Sequence, residues 1–497
     1  MNKFFVRLGR LEIIVFVSGA VVMVLELVAS RLLAPYLGTS IYVWASLIGV
    51  ILGALTIGYY LGGKFSLIKP QLSFLASVLL FSGLTIFLIA LVKMPVLSVC
   101  MAFGVKAGSV AAALTLFALP SLLLGMVSPY AIRLKIENIE QSGGVAGNLY
   151  ALSTVGSIFG TFLAGFVLIP VFGSGQILFG LSLALIIASL LGGKRWLKIA
   201  VILAIILVWF LDAQAGLAYV YETDSAYNHI RVADKTEKNF GQSVRVLYLA
   251  TEAHSIIYKD SDELFSAYSQ LYGLDTLFKP EIKKGLTLGG GAYIWPLNFL
   301  KQFPDGEMTV VEIDPKVTAT AQKYFRLKPD SRLKIIHEDG RIFLNHNSEK
   351  FDVIYGDAFA SYFSIPFQLT THEAMGKIYQ SLADDGVFIL NVISALEGEK
   401  SLLFKAEYKT LSSVFPQLYV FPAYYYNGDN LNLHQNIIIV ASKDAKRLNR
   451  EELLSRATAR QKELLERFWE KEIELAPGTR ILTDDFAPVD YYISKLL

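Results

Sequence analysis

Glycines and carboxylates recur at the ends of short apolar runs in the second half of this sequence. Three consecutive glycines, residues 289–291, follow one such run, and Glu312, Asp339 and Asp357 come at the ends of three more. Glycine lets the backbone approach a ligand closely, and a carboxylate accepts hydrogen bonds from hydroxyl and amino groups. Glu312 could accept from both hydroxyls of a ribose and Asp339 from an adenine amine, while Asp357 would face the reacting group. Together these residues favour a nucleoside site.

The elements that must position these residues are strands that end at one edge of a sheet. Residues 285–288, 308–313, 333–336 and 351–355 have the apolar pattern of buried strands, and residues 316–325 have that of a helix. This alternation is typical of a doubly wound sheet, whose ligand lies outside the carboxyl ends of the strands. Each feature alone has a simpler explanation, because a glycine run is commonly a turn and a strand-terminal acid commonly a helix cap. Four successive strands that each end in glycine or an acidic residue favour the ligand site.

The composition divides the chain into an apolar half and a mixed half. The 497 residues suffice for at least two domains, and 54% of them are hydrophobic. The excess lies in residues 1–211, which predicts a multi-span domain in a lipid bilayer. A net charge of +2 without a basic run indicates no nucleic-acid partner, and the single cysteine, Cys100, excludes an intrachain disulfide. The six histidines show no paired metalloprotease spacing, so we expect no metal site.

Apolar stretches of about 20 residues, long enough to cross the hydrocarbon core, recur in the first half. Between two of them, residues 93–107 are bracketed by Lys93 and Lys106, and we interpret this stretch as a re-entrant or interfacial piece. The seven predicted spans are approximately residues 12–33, 42–63, 71–92, 108–131, 148–170, 174–191 and 196–211.

Lysine and arginine near the ends of the spans alternate between two sides. By the positive-inside rule, the N-terminus is cytoplasmic. Seven spans would place the C-terminal half outside, away from a cytosolic nucleoside, whereas eight would place it inside, and both arrangements stay open. The basic residues that share the N-terminal side are Lys3, Arg7, Arg10, Lys64, Lys69, Arg133, Lys135, Lys194, Arg195 and Lys198.

The predicted domain boundaries follow the change in composition. Residues 1–211 form the polytopic membrane domain, and residues 212–280 form a small antiparallel β element, since residues 221–258 alternate like strands. Residues 281–497 form a Rossmann-like α/β domain of the methyltransferase type. Within it, residues 451–472 are rich in Glu, Arg and Leu and have the pattern of an exposed amphipathic helix.

These residues resemble a known family, the bacterial membrane-fused spermidine synthase homologues, in which a multi-span domain precedes a polyamine aminopropyltransferase domain. The resemblance covers nearly the whole chain, and it is carried by a combination of short motifs. The motifs are RLLAP at 31–35, GYYLGG at 58–63, NLYA at 148–151, DSAYNHI at 224–230, LGGG at 288–291, VEID at 311–314, EDGR at 338–341 and TDD at 483–485.

The resemblance implies a donor substrate, decarboxylated S-adenosylmethionine, and no permanently bound cofactor. Glu312 matches the acid that holds the donor ribose, and Asp339 with Gly340 matches the adenine contact. Asp357 matches the acid that orients the acceptor amine and takes its proton as the amine attacks the carbon beside the sulfonium. Such a positioned base contributes about 10² to 10⁴ in rate. The resemblance further implies a homo-oligomer, a dimer. The other implied site residues are Gly289, Gly290, Gly291 and Asn228 for the donor and Tyr227 and Tyr268 for the polyamine.

Several positions depart from the family's pattern. Ala292 stands where soluble synthases have the Asp that contacts the aminopropyl amine, and Ala360 where they have a second Asp beyond the catalytic one. Asn228 replaces a Gln, and Tyr268 is followed by Ser and Gln instead of His and Glu. Fewer carboxylates weaken the attraction for a polycation. The alternatives are therefore an S-adenosylmethionine-dependent methyltransferase, a polyamine transporter or sensor with a nucleoside-binding domain, and a membrane anchor attached to a degenerate synthase.

Overall fold

The computed structural model describes residues 9–193, 195–215, 219–236, 241–358, 365–425 and 430–496. The chain divides into two compact units. The first comprises Met1–Ala218 with Thr223–Ala226, and the second comprises Tyr219–Glu222 with Tyr227–Leu497.

The first unit is helical, because its long apolar stretches satisfy every backbone polar group within the helix itself. A π-helical turn, Ala164–Leu168, joins the sixth and seventh helices. The helices are α1 (Arg10–Leu37), α2 (Ile41–Ile68), α3 (Leu72–Met101), α4 (Gly104–Gly125), α5 (Val127–Lys135), α6 (Ser142–Leu163), α7 (Ile169–Val171), α8 (Ser174–Ser189) and α9 (Arg195–Ala215).

Six of the seven predicted spans lie in helical segments that are long and apolar enough to cross a membrane. The seventh, 196–211, falls on α9, whose apolar stretch within the fully described residues is Lys198–Val208. Residues 93–101 continue α3 to Met101 instead of forming a separate re-entrant piece. Among the described residues, the six segments are Arg10–Leu37, Ile41–Ile68, Leu72–Met101, Gly104–Lys135, Ile139–Val171 and Ser174–Gly192.

The second unit contains a small sheet and a large one. Its strands are β1 (Tyr221–Asp224), β2 (His229–Thr236), β3 (Ser243–Leu249), β4 (Glu252–Tyr258), β5 (Lys284–Leu288), β6 (Glu307–Val311), β7 (Leu333–Ile336), β8 (Phe351–Gly356), β9 (Leu382–Ser394), β10 (Gln417–Pro422) and β11 (Gln435–Ser442). Its helices are α10 (Ala267–Leu271), α11 (Asp275–Phe278), α12 (Ile294–Gln302), α13 (Pro315–Tyr324), α14 (Gly340–His346), α15 (His372–Ser381), α16 (Leu402–Ser412), α17 (Arg450–Arg456), α18 (Ala459–Leu465) and α19 (Val489–Leu496).

The large sheet has the predicted doubly wound order. Its strands lie in the order β10-β11-β9-β8-β5-β6-β7, and the small sheet that precedes it has the order β1-β2-β3-β4. Strands β9, β8, β5, β6 and β7 are parallel, whereas β11 is antiparallel to β9 and to β10. The direction of winding reverses between β5 and β8, where Leu288 pairs with Gly356. A ligand of such a sheet binds outside the carboxyl ends of the strands at this reversal.

Strand alternation divides the residues at this point between the two faces of the sheet. Val353 and Tyr355 belong to the apolar core on one face, and Ile354 belongs to the core on the other. Because successive side chains point to opposite faces, Asp357 follows Tyr355 on the first face, and Ala358 follows Gly356 on the second. At the carboxyl rim, one face of the sheet therefore carries a carboxylate and the other a methyl group.

The prediction of one exposed helix over residues 451–472 is wrong. The segment forms α17 and α18, because Thr458 takes up extended backbone and its side chain caps the second helix by accepting from the backbone N–H of Gln461. Leu453 and Leu465 are fully buried, so these helices also contribute to the core.

Candidate active site

The loop after β5 carries the three glycines directly against β8. Gly289 has a φ of +95°, which favours glycine, and its N–H donates to the carbonyl of Val311 over 2.9 Å. The N–H of Asp357 donates to the carbonyl of Leu288 over 3.0 Å. A Cβ atom on Gly289 would lie 2.5 Å from the carbonyl oxygen of Asp357. A glycine is therefore required for the loop and Asp357 to lie this close together.

Glu312, at the end of β6, is bound to that loop. Its Oε2 accepts from the backbone N–H groups of Gly290 (2.8 Å) and Gly291 (3.3 Å), and its Oε1 accepts from that of Asp314 (2.9 Å). The residue is 8% exposed. Because a carboxylate offers about four lone-pair positions, these bonds leave about one free. Glu312 thus lies at the predicted sugar position, but a sugar must compete there with backbone amides.

Asp339 begins α14 as its N-cap. Its Oδ1 accepts from the N–H groups of Arg341 (2.9 Å) and Ile342 (3.1 Å). This oxygen therefore caps the helix. Gly340 follows, and a Cβ there would meet the side chain of Leu369 at 3.4 Å. The adenine contact predicted for Asp339 and Gly340 stays a prediction, and it requires the second carboxylate oxygen.

Asp357 comes directly after β8, at the switch point of the sheet, and is half-buried. Its Oδ1 accepts from Nδ2 of Asn391 over 2.9 Å. Asn391 lies in β9, and its own Oδ1 accepts from Nδ2 of Asn436 in β11 over 3.0 Å. This relay fixes the orientation of the Asn391 amide, so that its N–H bonds are directed at Asp357.

Several groups act on the proton affinity of Asp357. Burial of the carboxyl raises its pKa above the ordinary value. The hydrogen bond from Asn391 and the charge of His254 lower this pKa in part. The hydroxyls of Tyr272 and Tyr268 act in the same direction. Because burial is the largest of these effects, the pKa stays raised, and Asp357 is a stronger base than an exposed aspartate.

An aromatic cluster supports this face of the site. The ring of Tyr272 lies 5.3 Å from Trp295 and 5.4 Å from Tyr355, centroid to centroid. Its buried hydroxyl faces the carboxyl of Asp357, so the cluster positions a hydrogen-bonding group beside that carboxyl.

Asp275 lies behind the cluster and is fully buried. Its Oδ2 accepts from the Tyr355 hydroxyl over 2.5 Å, and its Oδ1 accepts from the N–H of Thr276 over 2.7 Å. Burial raises the pKa of Asp275 to about 7. The support of the site therefore contains a carboxyl that holds a proton near neutral pH.

The small antiparallel sheet reaches the glycine loop through β4. A Cβ on Gly291 would lie 3.0 Å from Oγ of Ser255 and 3.2 Å from Nδ1 of His254, and Ser255 Oγ accepts from the N–H of Ala292 over 3.3 Å. Ala292 is 1% exposed, so a buried methyl group stands where the family pattern has a carboxylate.

The structure brings together some of the predicted site residues. The glycine loop, Glu312, Asp357 and Tyr268 share the rim around the switch point. Tyr227 and Asn228 come directly before β2, and Tyr227 is 54% exposed, so their parts in binding stay predictions. Ala360 lies outside the described residues.

Three residues at the rim were missed by the sequence analysis, namely His254, Tyr272 and Asn391. Asn391 could have been found, because it is the only polar residue within the apolar run 387–393. His254 and Tyr272 gave no such signal, since they lie in mixed segments and reach the site only through the fold. Among the described residues, no group of three His, Cys, Asp or Glu side chains could hold a metal ion.

The second half of the chain is similar in sequence to known proteins of one family. A profile of the spermine/spermidine synthase domain matches residues 265–447. The polyamine aminopropyltransferase of Vibrio vulnificus is 27% identical over 246 residues, which cover 47% of this chain and 78% of that protein. The probable polyamine aminopropyl transferase of Bifidobacterium longum is 28% identical over 282 residues, which cover 54% of this chain but only 61% of that protein.

Among solved structures, that of a probable spermidine synthase from Corynebacterium glutamicum aligns over 53% of this chain and 96% of its own chain, with a TM-score of 0.44 and 19% sequence identity. The resemblance seen in the motifs is confirmed by the profile and the two sequence relatives. The C-terminal half of this chain therefore contains a spermine/spermidine synthase domain, matched over residues 265–447, and in the described part of the chain six long apolar helical segments precede it.

Proposed function

We propose that the C-terminal half transfers an aminopropyl group from decarboxylated S-adenosylmethionine to an amine acceptor of the polyamine class. The acceptor nitrogen forms a bond to the aminopropyl carbon beside the sulfonium as the bond from that carbon to sulfur breaks. Both electrons of the breaking carbon–sulfur bond stay on sulfur in the leaving thioether nucleoside. The proton carried by the acceptor nitrogen passes to a base. The observation that carries the proposal is Asp357, held at the switch point of a spermine/spermidine synthase domain.

In this proposal Asp357 is the base. An amine is mostly protonated near neutral pH and cannot attack until it loses a proton, so a carboxylate of raised pKa is better suited to accept it. Because Asn391 occupies Oδ1, the other oxygen is the one that receives the proton. The hydroxyls of Tyr268 and Tyr272, which face the same carboxyl, would bind the acceptor.

The donor in this proposal lies across the rim of the large sheet. Its sugar binds at Glu312 and the glycine loop, and its sulfonium tail points at Asp357. Alignment of nucleophile and leaving group supplies the rest of the rate, as in other displacement reactions. No resident cofactor is required, because the donor itself carries the reactive sulfonium.

We further propose that the first unit is embedded in a lipid bilayer with six spans. An even number of spans returns the chain to the cytoplasmic side, where the donor is made, and α9 would then lie at the membrane surface. The six long apolar helical segments found among the described residues and the basic residues before α9 support this arrangement. A reporter fused after Leu497 tests it, since activity of a periplasmic reporter there would contradict six spans.

The transfer is tested with the purified full-length protein in detergent, decarboxylated S-adenosylmethionine and putrescine. We expect release of 5′-methylthioadenosine, and a fall of about 10² to 10⁴ in kcat for Asp357→Asn. Asp352→Asn is the matched control, since Asp352 lies on the same strand at its opposite end and accepts from the N–H groups of Lys283 and Lys284. Equal loss in both variants, or product from Asp357→Asn at the unchanged rate, would contradict the proposed role.

A second candidate is methyl transfer from intact S-adenosylmethionine. It is favoured by Ala292, whose buried methyl group leaves no carboxylate at that position for the donor's amine. Competition between the two donors separates the candidates: the proposed reaction requires that the decarboxylated donor bind more tightly. Tighter binding of the intact donor, with transfer of its methyl group, would instead establish the second.

A further inference from the structure

A tight turn at residues 483–486 lies against the start of α14. The N–H of Thr483 donates to the carbonyl of Phe486 over 3.1 Å, and the N–H of Phe486 donates to the carbonyl of Thr483 over 3.0 Å. Asp484 and Asp485 are therefore the two central residues of the turn. This turn contains the TDD motif, to which the proposed reaction gives no part.

Asp484 closes a ring of hydrogen bonds with Arg341 and Thr371. Its Oδ2 accepts from Nη2 of Arg341 over 2.6 Å, and its Oδ1 accepts from the hydroxyl of Thr371 over 2.7 Å. Nη1 of Arg341 donates to Oγ1 of Thr371 over 3.1 Å, which completes the ring. The same Nη1 donates to the carbonyl of Gln368 over 3.1 Å. The TDD motif is thus linked to the EDGR motif of α14 and to residues 368–371.

Arg341 is held more firmly in this ring than in an exposed ion pair. Its side chain is 15% exposed and Thr371 is fully buried, although the side chain of Asp484 is 47% exposed. A guanidinium donates in several fixed directions at once, so it orients its partners in a way that a lysine ammonium does not. Removal of the Asp484 carboxylate would leave a largely buried cation without its counter-ion, which costs more than the loss of a surface pair.

The ring sets the spacing of two segments that border the predicted adenine contact. Asp339 caps α14, and its Oδ1 accepts from the backbone N–H of Arg341 over 2.9 Å. Leu369 lies in the segment that Arg341 holds, and its side chain is 3.4 Å from the Cβ position of Gly340. A base that lies over Gly340 would meet Leu369 as well. Its position therefore depends on the distance between the start of α14 and residues 366–371.

We propose that Asp484 is a positioning residue for the nucleoside base and acts through Arg341 and Thr371. It touches neither donor nor acceptor, and it keeps the start of α14 and residues 366–371 at the spacing that the base requires. This inference rests on the proposed function, because it assumes that a nucleoside occupies the rim with its base at Asp339 and Gly340.

The turn is attached to the domain independently of the Asp484 side chain. The N–H of Leu482 donates to Oγ1 of Thr410 over 2.9 Å, and the carbonyl of Leu482 accepts from the N–H of His372 over 2.8 Å. Leu482 and Val489, on either side of the turn, are buried. A substitution of Asp484 should therefore change the ring and leave the rest of the C-terminal segment in place.

The test compares 5′-methylthioadenosine with its analogue that lacks the 6-amino group, by calorimetric titration of the full-length protein in detergent. We expect the wild type to prefer the amino compound by about 10-fold or more, because the analogue leaves Asp339 without its partner. Asp484→Ala should lose most of this preference and bind 5′-methylthioadenosine about 10-fold more weakly. Asp485→Ala is the matched control, since Asp485 is exposed and takes part in none of these contacts. It removes the same charge from the same turn and should leave both constants unchanged.

Two further variants distinguish the ring from general damage to the domain. If Asp484 acts through Arg341, the double variant Arg341→Met with Asp484→Ala should bind 5′-methylthioadenosine no more weakly than Arg341→Met alone. Independent effects would instead multiply, and a further loss of about 10-fold in the double variant would overturn the inference. Glu312→Gln, which acts on the sugar, should weaken the binding of both compounds by the same factor and so keep the preference.

The outcomes separate this inference from the proposed function. A wild type that binds neither compound contradicts both, and one that binds the two equally contradicts the position of the base. A wild type with the expected preference, together with an Asp484→Ala variant of unchanged affinity and preference, overturns the role of Asp484 and leaves the transfer reaction standing. If Asp484→Ala does not fold, Asp484→Asn replaces it, since asparagine keeps the size and one accepting oxygen. A preference equal to that of the wild type then overturns the inference, and one lowered about 3-fold or more supports it.

Discussion

Asn391 donates a hydrogen bond from Nδ2 to Oδ1 of Asp357 over 2.9 Å, and Asn436 holds Asn391 in that orientation. The proposed base on β8 is thus set by side chains of β9 and β11. The hydrogen bond stabilises the charged form of Asp357 and opposes the effect of burial on its pKa.

Asn391→Leu should therefore raise the pKa of Asp357 and move the acidic limb of the pH profile of kcat/KM to higher pH. The direction follows because the base must be ionised to act, and the variant removes a bond to the ionised form. We expect kcat/KM at neutral pH to fall about 10-fold, the usual effect of one hydrogen bond to a charged group. Asn436→Leu should shift the limb in the same direction but less, and an unmoved limb in Asn391→Leu would exclude the relay.

Asp275→Asn should stabilise the protein above neutral pH. The pKa of Asp275 is raised to about 7 in the folded protein, compared with about 3.9 for an unfolded aspartate. Since the folded state holds a proton that the unfolded state has released, stability falls as pH rises from about 4 to about 7. The loss reaches about 4 kcal/mol at most, and asparagine removes it.

Thermal unfolding of the full-length protein in detergent at pH 5 and pH 8 tests this. The variant should exceed the wild type by several degrees in Tm at pH 8 and by less at pH 5. Glu407 is also buried, and its pKa is raised to about 8. It therefore also lowers stability as pH rises, so part of the pH dependence of Tm remains in the Asp275→Asn variant. A lower Tm for Asp275→Asn at pH 8 would show that the carboxyl is ionised and stabilised by Tyr355.

Gly289→Ala should damage the active site more than the fold. A methyl group would lie 2.5 Å from the Asp357 carbonyl oxygen, on a backbone with a φ of +95°. We expect a loss of about 2 kcal/mol or more in stability and a displaced Asp357, read as a fall in kcat of about 10²-fold. Gly376→Ala on α15 is the control, because nothing beyond its chain neighbours and the backbone of its own helix lies within 4 Å of its Cβ position. That change should stabilise the protein by about 0.5 to 1 kcal/mol and leave kcat unaltered.

Glu312→Gln should weaken nucleoside binding without removing the base. Both carboxylate oxygens accept from backbone N–H groups, so the amide NH₂ of glutamine must face at least one donor. We expect the Kd of 5′-methylthioadenosine to rise about 10-fold or more, with the pH profile of kcat unchanged. A Kd equal to that of the wild type would mean that the sugar binds elsewhere.

The architecture of the second unit could be predicted from sequence because the strand runs are short, apolar and regularly spaced. The site could be predicted only where a residue directly follows a strand, as Glu312 and Asp357 do. Asn391 lies 34 positions from its partner, and the contact arises from the pairing of β8 with β9. Glu407 appears in sequence as one charge among others on a helix, and only packing shows that it is buried. The break at Thr458 depends on a cap that the amphipathic pattern does not reveal.

Glu312 also has a consequence for turnover in the proposed reaction. Its carboxylate bridges the glycine loop and the start of α13 through the amides of Gly290, Gly291 and Asp314. A donor sugar would have to compete with these amides for the carboxylate oxygens, so we expect its net gain in enthalpy to be small. For the same reason we expect the thioether nucleoside to leave quickly, at the expense of tight retention of the donor.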